Sequence, residues 1–144
     1  MFLAEANPLN ASELIFPTLE VIHIAGFAVL VGTIAIVDFR LLGLGLRRQK
    51  PAEVARDLGP WTLIGLTMVL LSGPLMFSSD PDMYYLNWSF LLKMTVLVIA
   101  IIFNYTIHRH TNRFPRLIAG ISLLLWTSVI FGGIFIAVAP AAPG

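Results

Sequence analysis

Apolar residues run along this chain in four long blocks, separated by short polar stretches. The blocks cover residues 14–37, 60–77, 84–107 and 117–139. A helix needs about 20 apolar residues to cross the hydrocarbon of a bilayer, and all four blocks are long enough. The second is the shortest. Near-continuous apolarity, rather than a one-sided stripe, predicts helices wetted by lipid on most faces. Short connections make successive helices antiparallel. The predicted fold is therefore all-α: an integral membrane four-helix up-down bundle over 14–139. Residues 1–13 form a tail or interfacial segment, and 140–144 a C-terminal tail.

Composition strengthens that picture. Hydrophobic residues make up 58% of the chain and charged residues 12%, with a mean hydropathy of +0.87. Soluble domains carry about 25% charged residues. There is no cysteine, which excludes disulfides, thiolate metal sites and cysteine nucleophiles.

The placement of charge orients the helices. The first connection holds Arg40, Arg47, Arg48, Lys50 and Arg56, and the third holds Arg109, Arg113 and Arg116. The second has Asp80 and Asp82 and no base. The positive-inside rule puts the basic connections in the cytoplasm and both termini in the periplasm of a bacterial cytoplasmic (inner) membrane, as a multi-pass protein. Tyr84, Tyr85 and Trp88 suit an outer aromatic belt, and Trp61 an inner one. The N-terminal stretch has no basic residue and does not read as a cleaved signal peptide. Residues 51–58 predict a short amphipathic surface helix, opened by Pro51 and ended by Gly59-Pro60.

Ionisable residues inside the blocks are few: Glu20 and His23 in the first, Lys93 in the third. His23 and Lys93 each lie nine residues past the outer end of their block, about 13 Å deep at 1.5 Å per residue. They are expected at one level in the outer half of the bilayer. Glu20 is one turn above His23 on nearly the same face. In the third block Lys93, Leu97, Ala100, Asn104 and His108 follow one another at helical spacing and form one stripe. Asp38, Arg40 and His108 lie near the cytoplasmic ends, where water is expected to reach them. Thr62, Thr67, Ser72, Ser122, Thr127 and Ser128 are hydroxyls of the kind that bond back to their own helix carbonyls. The glycines of the blocks suit close helix packing.

Three readings of the His23–Lys93 level compete. In the first, His23 is the axial ligand of a haem b iron, with Gly26 leaving room for the ring. Lys93 then supplies a second axial nitrogen, pairs with a propionate or contacts a bound tetrapyrrole. In the second, Glu20, His23 and Lys93 form a proton or ion path. In the third, a Glu20–Lys93 ion pair fixes the first helix against the third. A cofactor requires a gap between those helices, whereas an ion pair requires direct contact.

The stretches "TLEVIHIAGFAVLVGTIAIVDFRL", "TLIGLTMVLLSGPLMF" and "WSFLLKMTVLVIAIIFN" resemble a family of small four-helix bacterial membrane proteins of uncharacterised function. They are also similar to the copper-resistance-D-type membrane domain and to the haem-containing membrane protoporphyrinogen oxidase. The resemblance to the oxidase implies haem b binding at a histidine of the first helix and a lysine early in the third, here His23 and Lys93. Asn104 stands where that pattern carries a further histidine, and "FPTLE" replaces a tryptophan-lysine lead.

The expected function is a haem b-binding membrane protein with a redox or electron-transfer role, working with quinone or a membrane redox partner. Its site residues are His23, Lys93, Glu20, Gly26 and Asn104. The alternatives are a cofactor-free accessory subunit held by the Glu20–Lys93 pair, as a homo-oligomer or in a larger complex, and a protoporphyrinogen-oxidase-like enzyme. "HRHTNR" reads as a basic anchor at lipid headgroups. It chelates a metal through His108 and His110 only if the helix has already ended. No phosphate loop, His-Glu-x-x-His or Gly-x-Ser-x-Gly motif is present, and nothing supports nucleic-acid binding.

Overall fold

A computed structural model describes residues 7–108 and 113–138. Five α-helices follow one another: α1 (Ile15–Leu41), α2 (Pro51–Ser79), α3 (Pro81–Tyr85), α4 (Trp88–Phe103) and α5 (Pro115–Val138). A 3-10 turn (Pro8–Asn10) precedes them, and a π-helical turn (Asn104–His108) extends α4. No strand occurs among the described residues. Four of the helices are long and apolar enough to cross a membrane: α1, α2, α4 with its extension to Thr106, and α5.

The up-down arrangement is visible in side-chain bonds between helix ends. Asn7 and Asn10, just before α1, donate to the carbonyls of Ser78 and Ser79 at the end of α2, at 2.7 and 3.1 Å. Asn87, which caps α4, donates to the carbonyl of Ile136 at the end of α5 at 3.4 Å. These bonds join the start of one span to the finish of its neighbour, as antiparallel helices require.

α1 ends where glycine allows it to. Gly43 takes φ +81°, its N–H bonds the Arg40 carbonyl at 3.1 Å, and the Leu44 N–H bonds the Phe39 carbonyl at 2.8 Å. That is a Schellman cap, which satisfies the last carbonyls of the helix. Arg40 then holds the loop by donating from Nε to the Gln49 carbonyl at 2.6 Å.

α2 differs from the expectation. The surface segment and the second span form one helix, which passes through Pro60 without a break and through Pro74 as well. A proline lacks one N–H and crowds the carbonyl four residues back. Here tertiary contact outweighs that cost: Val54 and Thr62, on either side of Pro60, are both buried. The start is secured by Glu53, whose carboxylate accepts the Lys50 N–H at 3.2 Å. The shortest predicted span thus belongs to the longest helix. The third span begins later than expected, at Trp88, because Asn87 caps it by accepting the Ser89 N–H at 2.9 Å.

The first two spans approach most closely at glycine. A Cβ on Gly65 would lie 2.6 Å from the Leu30 nitrogen and 2.7 Å from the Gly26 carbonyl. A Cβ on Gly26 would lie 2.6 Å from the Met68 Cβ. Membrane helices lack a hydrophobic drive between them, so such backbone approach is what holds them. Below this contact lies the core of Leu30, Ile34, Leu66, Val69, Leu97, Ala100, Trp126 and Val129. Large apolar side chains elsewhere face outward, among them Leu71, Leu124, Phe131 and Ile134. An outer surface of that kind fits a multi-pass membrane protein in contact with lipid.

Candidate functional site

His23 is placed by α1 and oriented by α2. Ser72 donates its hydroxyl hydrogen to the Met68 carbonyl at 2.6 Å, so toward His23 it acts as an acceptor. His23 Nδ1 lies 2.8 Å from that hydroxyl oxygen. With the Ser72 hydroxyl turned to Met68, the matching tautomer carries its hydrogen on Nδ1 and leaves the Nε2 lone pair bare. No hydrogen bond engages Nε2 among the described residues. Gly73 borders the ring, since a Cβ there would lie 3.4 Å from Cε1. A histidine with one nitrogen tied to a polar group and the other free has the arrangement found in metal-binding imidazoles.

Lys93 approaches the same region from α4. Its stem runs along Gly132 and Gly133 of α5: a Cβ on Gly132 would be 3.0 Å from the Lys93 Cβ, and one on Gly133 would be 3.6 Å from Nζ. Its ammonium stands 5.9 Å from the centre of the Phe27 ring. The His23 ring centre is 6.3 Å from that of Phe27. The two residues expected at one level thus converge on one phenylalanine. Phe27 in turn meets Trp126 edge-on at 6.5 Å. Trp126 is only 2% exposed, and its indole N–H has no hydrogen-bond partner among the described residues. Three polar groups around Phe27, the Nε2 lone pair, an ammonium and an indole N–H, are left without hydrogen bonds among the described residues.

The other expected residues are placed elsewhere. Glu20 is exposed and makes no ion pair with Lys93. Its charge acts on Tyr84, whose phenol is pushed up from the ordinary tyrosine value by burial first, then by the carboxylates of Asp80 and Glu20. The direct Glu20–Lys93 contact that the accessory-subunit reading requires is absent. Gly26 faces α2, where it serves close packing and does not open space between α1 and α4. Asn104 is buried, but it lies 11 residues beyond Lys93, about 16 Å along the helix, and borders neither His23 nor Lys93.

The largest departure is at the opposite end. Asp38 and His108, expected in water, are buried together: their side chains are 0% and 3% exposed. His108 Nε2 lies 2.5 Å from Asp38 Oδ1, and Ser122 donates to Asp38 Oδ2 at 2.7 Å. Thr62, Thr67, Ser72 and Ser128 bond back to their own helices as expected, and Ser122 does not. The signal in the sequence was the stripe ending at His108, whose members Leu97, Ala100 and Asn104 are all buried. His110, Arg109 and the C-terminal tail lie outside the described residues. Among the described residues no group of three or more His, Cys, Asp or Glu forms a metal site.

Residues 14–139 match the model of a family of unknown function (DUF6644), and the chain belongs to that family. No curated protein and no solved structure matches the chain. The match carries no link to the copper-resistance-D-type domain or to the protoporphyrinogen oxidase.

Proposed function

We propose that this protein binds a haem b in a bacterial cytoplasmic membrane and serves a redox role there, with its basic loops in the cytoplasm. One observation carries the reading: the contact of His23 Nδ1 with Ser72 leaves Nε2 free for a metal, and the Lys93 ammonium near the same Phe27 ring has no carboxylate partner among the described residues. Imidazole is the axial ligand of many haem proteins. His23 would hold the iron, and Lys93 would meet a carboxylate of the ring. Such a group would bring both things these side chains lack among the described residues: a Lewis acid for Nε2 and an anion for Nζ. When bound, haem iron supplies one-electron chemistry. The chain's own part is to fix the imidazole tautomer through Ser72, to balance carboxylate charge through Lys93 and to keep water from the core below Phe27. A quinone or a membrane redox partner is the matching exchange partner for a group buried between spans.

Absorption spectra of the purified protein, oxidised and then reduced with dithionite, test this. A Soret band that shifts on reduction, with α and β bands, supports the reading. A flat visible spectrum from folded protein, still flat after added hemin, overturns it.

A further inference from the structure

The buried cluster at the basic end of the bundle is independent of His23 and Lys93. It lies 15 residues along α1 from His23, about 22 Å away. Three elements build it: Asp38 from α1, His108 from the π-helical turn after α4, and Ser122 from α5. π-turns inside helices commonly mark functional positions. Here the turn spans Asn104–His108 and ends on the histidine that meets Asp38.

The charge of the cluster sets what it can do. Ser122 donates to one oxygen of Asp38, and His108 Nε2 faces the other. Where Nε2 carries the hydrogen, Asp38 accepts from two donors and is ionised. With a neutral imidazole the site carries a net charge of −1 in a dry environment, which is costly. One additional proton brings it to zero. No other ionisable group does so among the described residues. On α1, Arg40 is turned to the Gln49 carbonyl. At the start of α2, Glu53 accepts the Lys50 N–H, and Arg56 pairs with Asp57 on the exposed surface at 3.5 Å. Arg113 and Arg116, beside and within the first turn of α5, are exposed. None of these bonds to Asp38 or His108.

We propose that Asp38 and His108 form a binding site for one exchangeable proton, loaded from the side of the basic loops. In the loaded state the imidazole carries hydrogens on both nitrogens and faces the carboxylate as a neutral pair. In the unloaded state Nδ1 is bare, and Asp38 is held by Nε2–H and by the Ser122 hydroxyl. The proton comes from and returns to water, and no electron moves. Access is one-sided: Asp38 lies three residues from the end of α1, about 4.5 Å, whereas Leu30, Ile34, Leu97, Ala100 and Trp126 close the way to the other face.

Nitrogen NMR of the full-length, 15N-histidine-labelled protein in liposomes tests this, with His108 assigned through His108→Gln. Acidification is expected to convert Nδ1 of His108 to N–H, reversibly. In Asp38→Asn the same conversion is expected to need at least tenfold more acid. A pH step on the basic-loop side of oriented vesicles should trigger it, and one on the opposite side should not. A His108 signal that stays in one form throughout, or that responds alike in Asp38→Asn, overturns the proposal, as does loading from the opposite side. Where Asp38→Asn does not fold, Ser122→Ala serves: it removes a donor from the carboxylate, so His108 should charge with less acid. An unchanged response there overturns the site too.

Discussion

The Lys93 ammonium stands 5.9 Å from the centre of the Phe27 ring and pairs with no carboxylate among the described residues. A cation over an aromatic face gains about 0.5–2 kcal/mol. A lysine within a span costs about 2.5–3.5 kcal/mol at the bilayer centre. The ring therefore offsets only part of the cost. Lys93→Met is expected to leave insertion intact and to stabilise the ligand-free protein by about 1–2 kcal/mol. Thermal unfolding in detergent measures this. A clear loss of stability would mean that the ammonium has an anionic partner in the native protein.

His23 and Ser72 act as one unit through their 2.8 Å contact. His23→Ala should abolish the haem spectrum and leave the helices intact by circular dichroism. Ser72→Ala should weaken haem binding by roughly 10–100-fold, the usual effect of removing an outer partner of a ligating histidine. Hemin titration followed at the Soret band reads both. Full binding by His23→Ala would remove His23 as the ligand.

Gly65 has no room for a side chain, with the Leu30 nitrogen 2.6 Å from where its Cβ would sit. Gly65→Val should force α1 and α2 apart at a cost of about 1–3 kcal/mol. Gly120→Ala is the control, because nothing lies within 4 Å of its added Cβ. Equal melting temperatures for the two variants would contradict the close approach.

Tyr84 lies outside the spans, and burial with the nearby Asp80 and Glu20 raises its phenol above the ordinary value. The unfolded chain gives up this proton first, at about pH 10. The group's effect on stability is thus constant below that point and turns destabilising as pH rises beyond it. Ultraviolet titration of phenolate should show one tyrosine ionising late. In Glu20→Gln it should ionise at a lower pH than in the wild type.

The chain has no cysteine, so single-cysteine labelling reads topology directly. Met83 and Gln49 are exposed at opposite ends of the bundle. Met83→Cys should react with an impermeant reagent on intact cells, and Gln49→Cys only after permeabilisation. The reverse pattern would invert the orientation.

Four apolar spans, their alternation in direction and the one-sided placement of arginine follow from composition along the chain. Each depends only on local residue type and the thickness of a bilayer. The shared level of His23 and Lys93 was legible too, because helical rise converts sequence distance into depth. Their partners were not. Ser72 comes from another helix, and Glu20 turns to solvent although it sits one turn from His23. Pro60 reads as a break, yet α2 continues through it because residues on both sides are buried by other helices. Asp38 and His108 read as wet because each lies near a helix end. They are dry because the π-helical turn and α5 close over them, and Asp38 and His108 are 70 residues apart in sequence. Depth along one helix is a local property. Which side chain fills the space beside it depends on how separate helices pack.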